Sequence, residues 1–223
     1  MSLLGTAAVA IWNGIRAEAR ADFYEWHSRE HMLERVALPG FLRGRRLVAE
    51  QGAPAWFTLY EVDRPSTLGS PEYIERLNTP TDWTKRVIPS FTTVTRSLCR
   101  TKLTTGAGVG GAMVTIRCDA AAGRSDELES YFATVLPRLA ELPRVHGAHL
   151  CRLEADASSI QTEERRARSD ANLLAEFVVM VEASGAAALN PVVEGLTAER
   201  LIRAGAAKDA PLEVGLYRLE FMC

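Results

Sequence analysis

Residues 7–12, AAVAIW, form a short apolar stretch, and residues 111–116, GAMVTI, form a second one 104 positions later. The same offset relates further features of the chain, namely Asp22 to Asp126 and Leu38-Pro39 to Leu142-Pro143. Because self-similarity at a fixed offset is the signature of a repeated architecture, we expect the two halves of the chain to fold alike.

Each half contains the same succession of predicted elements. The apolar strand is followed by a helix that begins near the aspartate, two β-rich runs, a short helix and a last strand. These later segments are GFLRGRRLVAE (40–50), AWFTLYEV (55–62), SPEYIERLN (70–78) and SFTTVTRSLCR (90–100), then VHGAHLCRLEA (145–155), LAEFVVMVEA (174–183), AALNPVVEGL (187–196) and VGLYRLEFMC (214–223). The order βαββαβ, found twice, predicts an α+β fold of two tandem ferredoxin-like repeats.

We place the first repeat at residues 1–103, a Gly-rich linker at 104–111 and the second repeat at 112–223. The linker glycines lead into a strand and do not open a helix, which argues against a dinucleotide loop. The second half also carries a polar insertion at 157–172, whose mixed charges and small residues predict a solvated loop.

Composition excludes several classes of function. Hydrophobic residues make up 47% and charged residues 24% of the 223 positions, which is ordinary for a globular protein. A net charge of −2 provides no attraction to nucleic acid or to an anionic membrane, and we expect neither partner. A solvated strand edge explains the basic run RGRR at 43–46 at least as well as a phosphate site does.

Cysteine spacing and the opening segment bear on location. The four cysteines are dispersed, without a C-x-x-C pair, which favours free thiols in a reducing compartment, and we expect a cytoplasmic protein. The apolar opening segment is too short to span a bilayer and is predicted to be the first strand.

The helix that begins near Asp22 contains His27-Ser28-Arg29-Glu30-His31, an H-x-x-E-H pattern. At about 100° per residue, one stripe of a regular helix would collect Phe23, Trp26, His27, Glu30, Leu33, Glu34 and Ala37, with His31 at its edge. The opposite side would carry Glu25, Ser28, Arg29 and Arg35. The corresponding positions of the second half, Tyr131, Thr134, Val135 and Arg138, do not repeat the polar pattern.

A stripe that faces the sheet and contains carboxylates and imidazoles is costly unless its polar groups are paired. We therefore expect a cavity between this helix and its sheet, with His27 or His31 as base and Glu30 or Glu34 as its orienting partner or as the acid. The alternative is structural: either glutamate could form an ion pair with Arg45 or Arg46.

A zinc site is a further alternative, because two histidines four residues apart share a helix face. It requires a third ligand, for which Glu72 and Glu75 are candidates by residue type alone. Short motifs of this kind have a high rate of false matches, and we predict no metal and no cofactor.

Residues 23–47, FYEWHSREHMLERVALPGFLRGRRL, resemble the first helix and second strand of the dimeric α+β barrel superfamily, in particular its EthD-like and muconolactone-isomerase-like branches. The segments FTLYEV at 57–62 and SPEYIERLNTPTDWTKRVIPSFTTVTRSLCR at 70–100 are similar to bacterial members of that group. The resemblance implies two ferredoxin-like sheets packed face to face as a barrel, formed within one chain or between two. It also implies a small-molecule pocket between sheet and helices. Members include isomerases, cyclases, haem-dependent oxygenases and cofactor-free monooxygenases, so the fold alone does not select a reaction.

The leading hypothesis is a cofactor-independent enzyme that performs proton transfer, as an isomerase, cyclase or lyase, on a small apolar or aromatic carbonyl compound. Trp26, Tyr60 and Trp83 would form its apolar walls, and Arg46 would contact a carboxylate or enolate. The alternatives are a metabolite-binding or structural protein, and a haem- or flavin-dependent monooxygenase with His31 as axial ligand. A small molecule is the expected partner, and a homodimer is compatible with exposed strand edges.

Overall fold

The computed structural model describes residues 3–167, 174–210 and 212–223. Eight β-strands form its framework. Their bounds are β1 Ala7–Ile15, β2 Phe41–Gln51, β3 Trp56–Val62, β4 Phe91–Gly106, β5 Ala112–Cys118, β6 Val145–Leu153, β7 Phe177–Ala183 and β8 Glu213–Met222. The apolar opening segment is thus the first strand, as the sequence predicts.

The strands close into one antiparallel barrel in the order β1-β3-β2-β8-β5-β7-β6-β4. Each half contributes four neighbouring strands in equivalent order, which confirms the prediction of two ferredoxin-like βαββαβ units. The units are joined by β2 pairing with β8 and by β4 pairing with β6. The barrel therefore closes within a single chain, and neither sheet keeps an unpaired edge.

Strand alternation gives the barrel an inner and an outer face. One buried cluster is drawn only from the strands and Leu3, and it fills the interior with Trp12, Leu47, Phe57, Leu59, Met113, Val178, Met180, Tyr217 and neighbours. The other clusters combine strand residues with residues of the helices, so they lie between the sheets and the helices that cover them.

Helices cover the outside of both sheets. They are α1 Arg20–Trp26, a π-helical turn His27–His31, α2 Met32–Val36, α3 Pro71–Asn78, α4 Asp82–Val87, α5 Ser125–Leu139, α6 Ala155–Ser159, α7 Glu163–Arg166, α8 Asn190–Gly195 and α9 Ala198–Arg203. Short 3-10 turns occur at Ala17–Ala19, Pro65–Gly69, Ile88–Ser90 and Ala186–Leu189. None of the helices in the described ranges is long and apolar enough to cross a membrane.

The RGRR run does not lie on a solvated strand edge, so that interpretation is wrong. Arg45 points into the barrel and is 1% exposed, where it bridges Glu61 at 3.0 Å and Glu182 at 2.8 Å. Arg43 also binds Glu61, at 2.7 Å, and His149 binds Glu182 at 3.0 Å. Buried charges are tolerated when they are paired in this way.

The insertion is also not a solvated loop in its described part, because residues 157–167 include α7 and pack against the first half. The Ser158 hydroxyl accepts a hydrogen bond from the Leu98 N–H at 3.1 Å. Buried Glu164 forms an ion pair with buried Arg35. Polar composition misled here because these polar groups are satisfied by partners distant in sequence. Residues 168–172 of the predicted loop lie outside the described residues.

The predicted unit boundaries at 103/104 and 111/112 remain a prediction. β4 continues through Gly106, so the strand covers the first part of the predicted linker. Within that linker, the Gly110 N–H donates to Glu182 at 2.9 Å, which holds the connection against the barrel.

Candidate functional site

The H-x-x-E-H segment adopts a π-helical turn between α1 and α2. The Met32 N–H donates to the His27 carbonyl, five residues earlier, where an α-helix would bond residues four apart. A π turn acts as a one-residue insertion in a helix, and such turns are frequent at functional sites.

This insertion rotates the rest of the helix by one residue relative to a regular α-helix. The predicted inward face holds for Phe23, Trp26 and His27, which are buried. Beyond the turn it is wrong: Leu33 is 44% exposed, whereas Arg35, which a regular helix would turn outwards, is 3% exposed. The helix therefore presents His31, Met32 and Arg35 to the sheet, together with half-buried Val36.

Glu30 and Glu34 are displaced to the edges of the helix. Glu30 accepts a hydrogen bond from the Thr81 hydroxyl at 2.5 Å, just before α4. Glu34 lies 3.5 Å from Arg76. Burial raises the pKa of Glu34 although Arg76 opposes the shift. Within the described residues Glu30 binds Thr81 and Glu34 pairs with Arg76, so the structure does not show the predicted ion pair with Arg45 or Arg46 of β2.

His27 lies at the centre of the site and is 4% exposed. Its ring stacks on Phe23 with centroids 5.0 Å apart, and its Nδ1 is 3.5 Å from Arg46 Nη1. Burial, and secondly the charges of Arg46 and Arg35, hold the pKa of His27 well below its ordinary value, so the imidazole is neutral. Because arginine only donates, this contact favours the lone pair on Nδ1 and the proton on Nε2.

Arg46 is fixed beside His27 by contacts on several sides. Its Nη1 donates to the Ser28 hydroxyl at 2.9 Å, and its Nε is 3.4 Å from Glu220 of β8. The guanidinium lies over the Tyr24 ring at 4.7 Å and the Phe221 ring at 5.6 Å. Rings that flank an arginine in this way orient it without neutralising its charge.

His31 and Trp26 form the next layer of the site. Their rings stack at 4.3 Å, and the His27 and His31 rings are 5.7 Å apart. The Trp26 Nε1 donates to the Thr84 hydroxyl at 3.1 Å, which fixes the indole. The structure therefore brings Trp26, His27, His31 and Arg46 together.

The two other predicted wall residues lie farther out. Tyr60 is on the helix-facing side of β3, buried beside Met32 and below α2. Trp83 is half-buried, packs near Trp26, and its Nε1 donates to Asp22 at 2.8 Å, so its polar end faces the beginning of the helix.

Sequence reasoning missed two polar side chains on the helix-facing side of the sheet. Asn13 pairs across the strands with Trp56, and Thr58 pairs with Arg46. Asn13 Nδ2 and Thr58 Oγ1 are buried and form no hydrogen bond to any residue that the structure describes. Such atoms require an explanation, since buried polar groups are normally paired. For Asn13, its position as the one polar residue of the apolar strand β1 was the available signal.

The zinc alternative gains no support from the geometry. Within residues 3–167, 174–210 and 212–223, no three His, Cys, Asp or Glu side chains come together as a metal site. The proposed third ligands, Glu72 and Glu75, are exposed on α3. In the second half, α5 is an uninterrupted helix of 15 residues and carries no equivalent of the histidines.

No model of a known protein family matches the chain, and no curated protein matches it either. Solved structures do match over nearly the whole length. An anthrone oxidase-like protein has a TM-score of 0.60 at 10% identity, covering 97% of this chain and 92% of its own. A candidate monooxygenase from Fusobacterium nucleatum has a TM-score of 0.59 at 6% identity, covering 98% of this chain and 94% of its own. A candidate chlorite dismutase has a TM-score of 0.56 at 13% identity, covering 96% of this chain and 94% of its own. At these identities the likeness establishes the fold, a ferredoxin-like α+β barrel.

Proposed function

We propose that the chain is a small-molecule enzyme in which His27 removes a proton from an apolar or aromatic carbonyl compound. The observation that carries the proposal is the neutral, buried His27 with Arg46 beside its Nδ1, within a wall of aromatic rings. A neutral imidazole can accept a proton, and a fixed guanidinium can stabilise the charge that then develops on oxygen.

The spacing of the two groups suits a carbon acid. Nδ1 and Nη1 are 3.5 Å apart, at the limit of a hydrogen bond, so the lone pair is only weakly engaged. In an α-proton donor, the acidic carbon and the carbonyl oxygen are separated by a single carbon. The base would take the proton at Nδ1 while Arg46 contacts the oxygen of the enolate.

The low pKa of His27 is compatible with this role. Burial and the two arginines disfavour the imidazolium when no anion is present. An enolate formed between Nδ1 and Arg46 supplies the missing negative charge, so proton transfer is favoured only with substrate in place. His31, stacked on Trp26, would position the substrate or relay the proton.

Proton removal is also compatible with the names of the structural neighbours, which include an oxidase-like protein and a candidate monooxygenase. Isomerisation, cyclisation, lyase chemistry and cofactor-independent oxygenation of a carbonyl compound can each begin with the same step. A haem- or flavin-dependent reaction remains an alternative hypothesis, as does a protein that binds the metabolite without turnover.

The finer classification is part of the same proposal. We infer an EthD-like relationship from the 23–47 segment and an origin by duplication from the offset of 104, which also relates Arg45 to His149. We also propose the unit boundaries given above and a homodimer. A cytoplasmic location is a further proposal, and the four free cysteine thiols favour it.

Deuterium exchange tests the proposal without knowledge of the final product. Aromatic ketones and lactones are incubated with the protein in D2O, and deuterium incorporation beside the carbonyl is followed by NMR. We expect catalysed exchange in the wild type and a loss of about 100-fold or more in His27→Gln, the usual contribution of a general base.

His146→Gln provides the matched control, because His146 lies in the second half, where its ring bonds the Ser184 hydroxyl at 2.7 Å. This variant should exchange at the wild-type rate. Equal exchange rates in wild type and His27→Gln would exclude His27 as the base. Wild-type exchange no faster than in buffer alone would favour the alternative, a protein that binds the metabolite without turnover.

A further inference from the structure

Two buried polar atoms lie at the α2 end of the helix, away from His27. Arg35 is 3% exposed and Tyr60 is 2% exposed. Arg35 Nη1 and Tyr60 Oη make no hydrogen bond to any side chain or backbone group in the described ranges. An unpaired buried donor reduces stability, and its presence is explained when a ligand supplies its partner.

The two donors, one on α2 and one on β3, lie near the same small region around Gly44 of β2. Around the missing Cβ of Gly44, Met32 Cε is at 2.9 Å, and Tyr60 Cε1 and Val36 Cγ1 are both at 3.2 Å. Arg35 lies between Met32 and Val36 on the buried face of α2. Burial raises the pKa of Tyr60, and the charge of Arg35 opposes that rise, which agrees with their proximity.

The charge of the subsite is balanced before any ligand enters. Arg35 forms an ion pair with Glu164, and both side chains are buried. Tyr60 stays protonated because burial raises the pKa of its hydroxyl. The site thus offers two donors without net charge. A second anion beside Glu164 would be repelled, whereas an uncharged oxygen acceptor can bind both donors.

The surroundings favour a flat apolar ligand. Phe41 packs against Tyr60 with ring centroids 6.1 Å apart, and Met32 closes the side towards the helix. The cover is α7, a four-residue helix from the second half, which also contacts the first half where the Glu163 N–H donates to Asn78 at 3.1 Å.

We propose that Arg35 Nη1 and Tyr60 Oη form a binding subsite for the carbonyl oxygen of an uncharged aromatic ketone or quinone, covered by α7. The subsite is independent of the proton transfer proposed at His27, because its donors are Arg35 Nη1 and Tyr60 Oη, whereas the proton transfer uses His27 Nδ1. It also gives the described part of the insertion a function, since Glu164 of α7 sets the charge preference of the ligand.

Calorimetric titration with 9-fluorenone, and with fluorene as the same ring system without the carbonyl, tests the subsite. The wild type should bind fluorenone at least about tenfold more tightly than fluorene, and Tyr60→Phe should remove most of that preference. Tyr73→Phe is the control, because the Tyr73 hydroxyl already accepts from Arg96. It should leave the preference unchanged.

A second variant tests the charge argument. Glu164→Gln leaves Arg35 uncompensated, so affinity for fluorene-9-carboxylate should rise about tenfold or more over the wild type. Equal binding of fluorenone and fluorene by the wild type would indicate that water alone satisfies the two donors and would overturn the proposal. An unchanged preference in Tyr60→Phe would do the same. Both readouts are binding, so they are separate from the exchange test of His27.

Discussion

At the scale of the residue, the site contains several polar atoms that the described residues do not satisfy. Asn13, Thr58, Tyr60 and Arg35 each contribute such an atom, and all four lie between the first sheet and its helix. Natural proteins depart from complete polar satisfaction mainly where function requires it. We therefore regard this layer as built for a ligand at the expense of stability.

Replacement of Tyr60 by Phe tests that trade-off directly. The change removes a hydroxyl without a described partner and keeps the ring, so we expect the free energy of unfolding to stay equal or to rise by about 1 kcal/mol. Tyr73→Phe should instead lower it by about 1 kcal/mol, because that hydroxyl is bonded to Arg96. Urea denaturation of both variants provides the measurement. A clear destabilisation by Tyr60→Phe would show that its hydroxyl has a stabilising partner.

At the scale of the element, the π turn determines which side chains reach the sheet. The periodicity of the sequence located the helix and placed Trp26 and His27 correctly. It could not show a one-residue insertion. The apolar pairs Met32-Leu33 and Val36-Ala37 give an apolar face both to a regular α-helix and to a helix with the π turn. The pairing of Arg35 with Glu164 was equally hidden, since it joins residues of different halves.

Deletion of Arg29 tests the role of the π turn. Arg29 is exposed, and its removal would convert the π turn to a regular α-helix while Met32 and Arg35 keep their buried positions. We expect the variant to fold with a midpoint of thermal unfolding close to that of the wild type, because the residues on both sides of the deletion keep their register.

Deletion of exposed Ala133 from the regular helix α5 is the matched control. It rotates every later residue of that helix by about 100°, including buried Leu136, and should therefore unfold or strongly destabilise the protein. Similar thermal stability of the two deletion variants would contradict the account of the π turn.

At the scale of the whole molecule, the barrel is joined across its interior by charges from both halves. Arg45 bridges Glu61 and Glu182, which are on β3 and β7. Burial raises the pKa of Glu182, but the hydrogen bond from His149 and the charge of Arg45 outweigh it and hold the pKa at about 2. Both carboxylates therefore depend on Arg45.

Arg45→Met should lower the free energy of unfolding by about 3–5 kcal/mol at pH 7, because it leaves two buried carboxylates without their shared partner. Arg100→Met is the control, since the Arg100–Glu154 ion pair is partly exposed and worth at most about 1 kcal/mol. Equilibrium denaturation compares the two. An equal small loss in both variants would show that Arg45 does not hold the halves together.

The repeated strand order was predictable from the sequence at this scale, because the succession βαββαβ, found twice, is typical of the ferredoxin-like arrangement. Closure within one chain was not predictable, because the same runs can pair between two chains. The buried charge network was also missed, since RGRR has the composition of an exposed segment. Only the register of β2 shows that Arg43 and Arg45 point inwards while Arg46 faces the helix.

The pH dependence of deuterium exchange tests the central claim, that neutral His27 is the base. Because the pKa of His27 is held well below 6.5, the imidazole stays neutral from pH 8 down through that value. The exchange rate of the wild type, with a substrate that does not titrate, should therefore be constant between about pH 8 and pH 6.5. His27→Gln should stay about 100-fold slower or more throughout this range. A rate that falls by half near pH 6.5, as for an exposed histidine, or equal rates in the two proteins, would contradict the account.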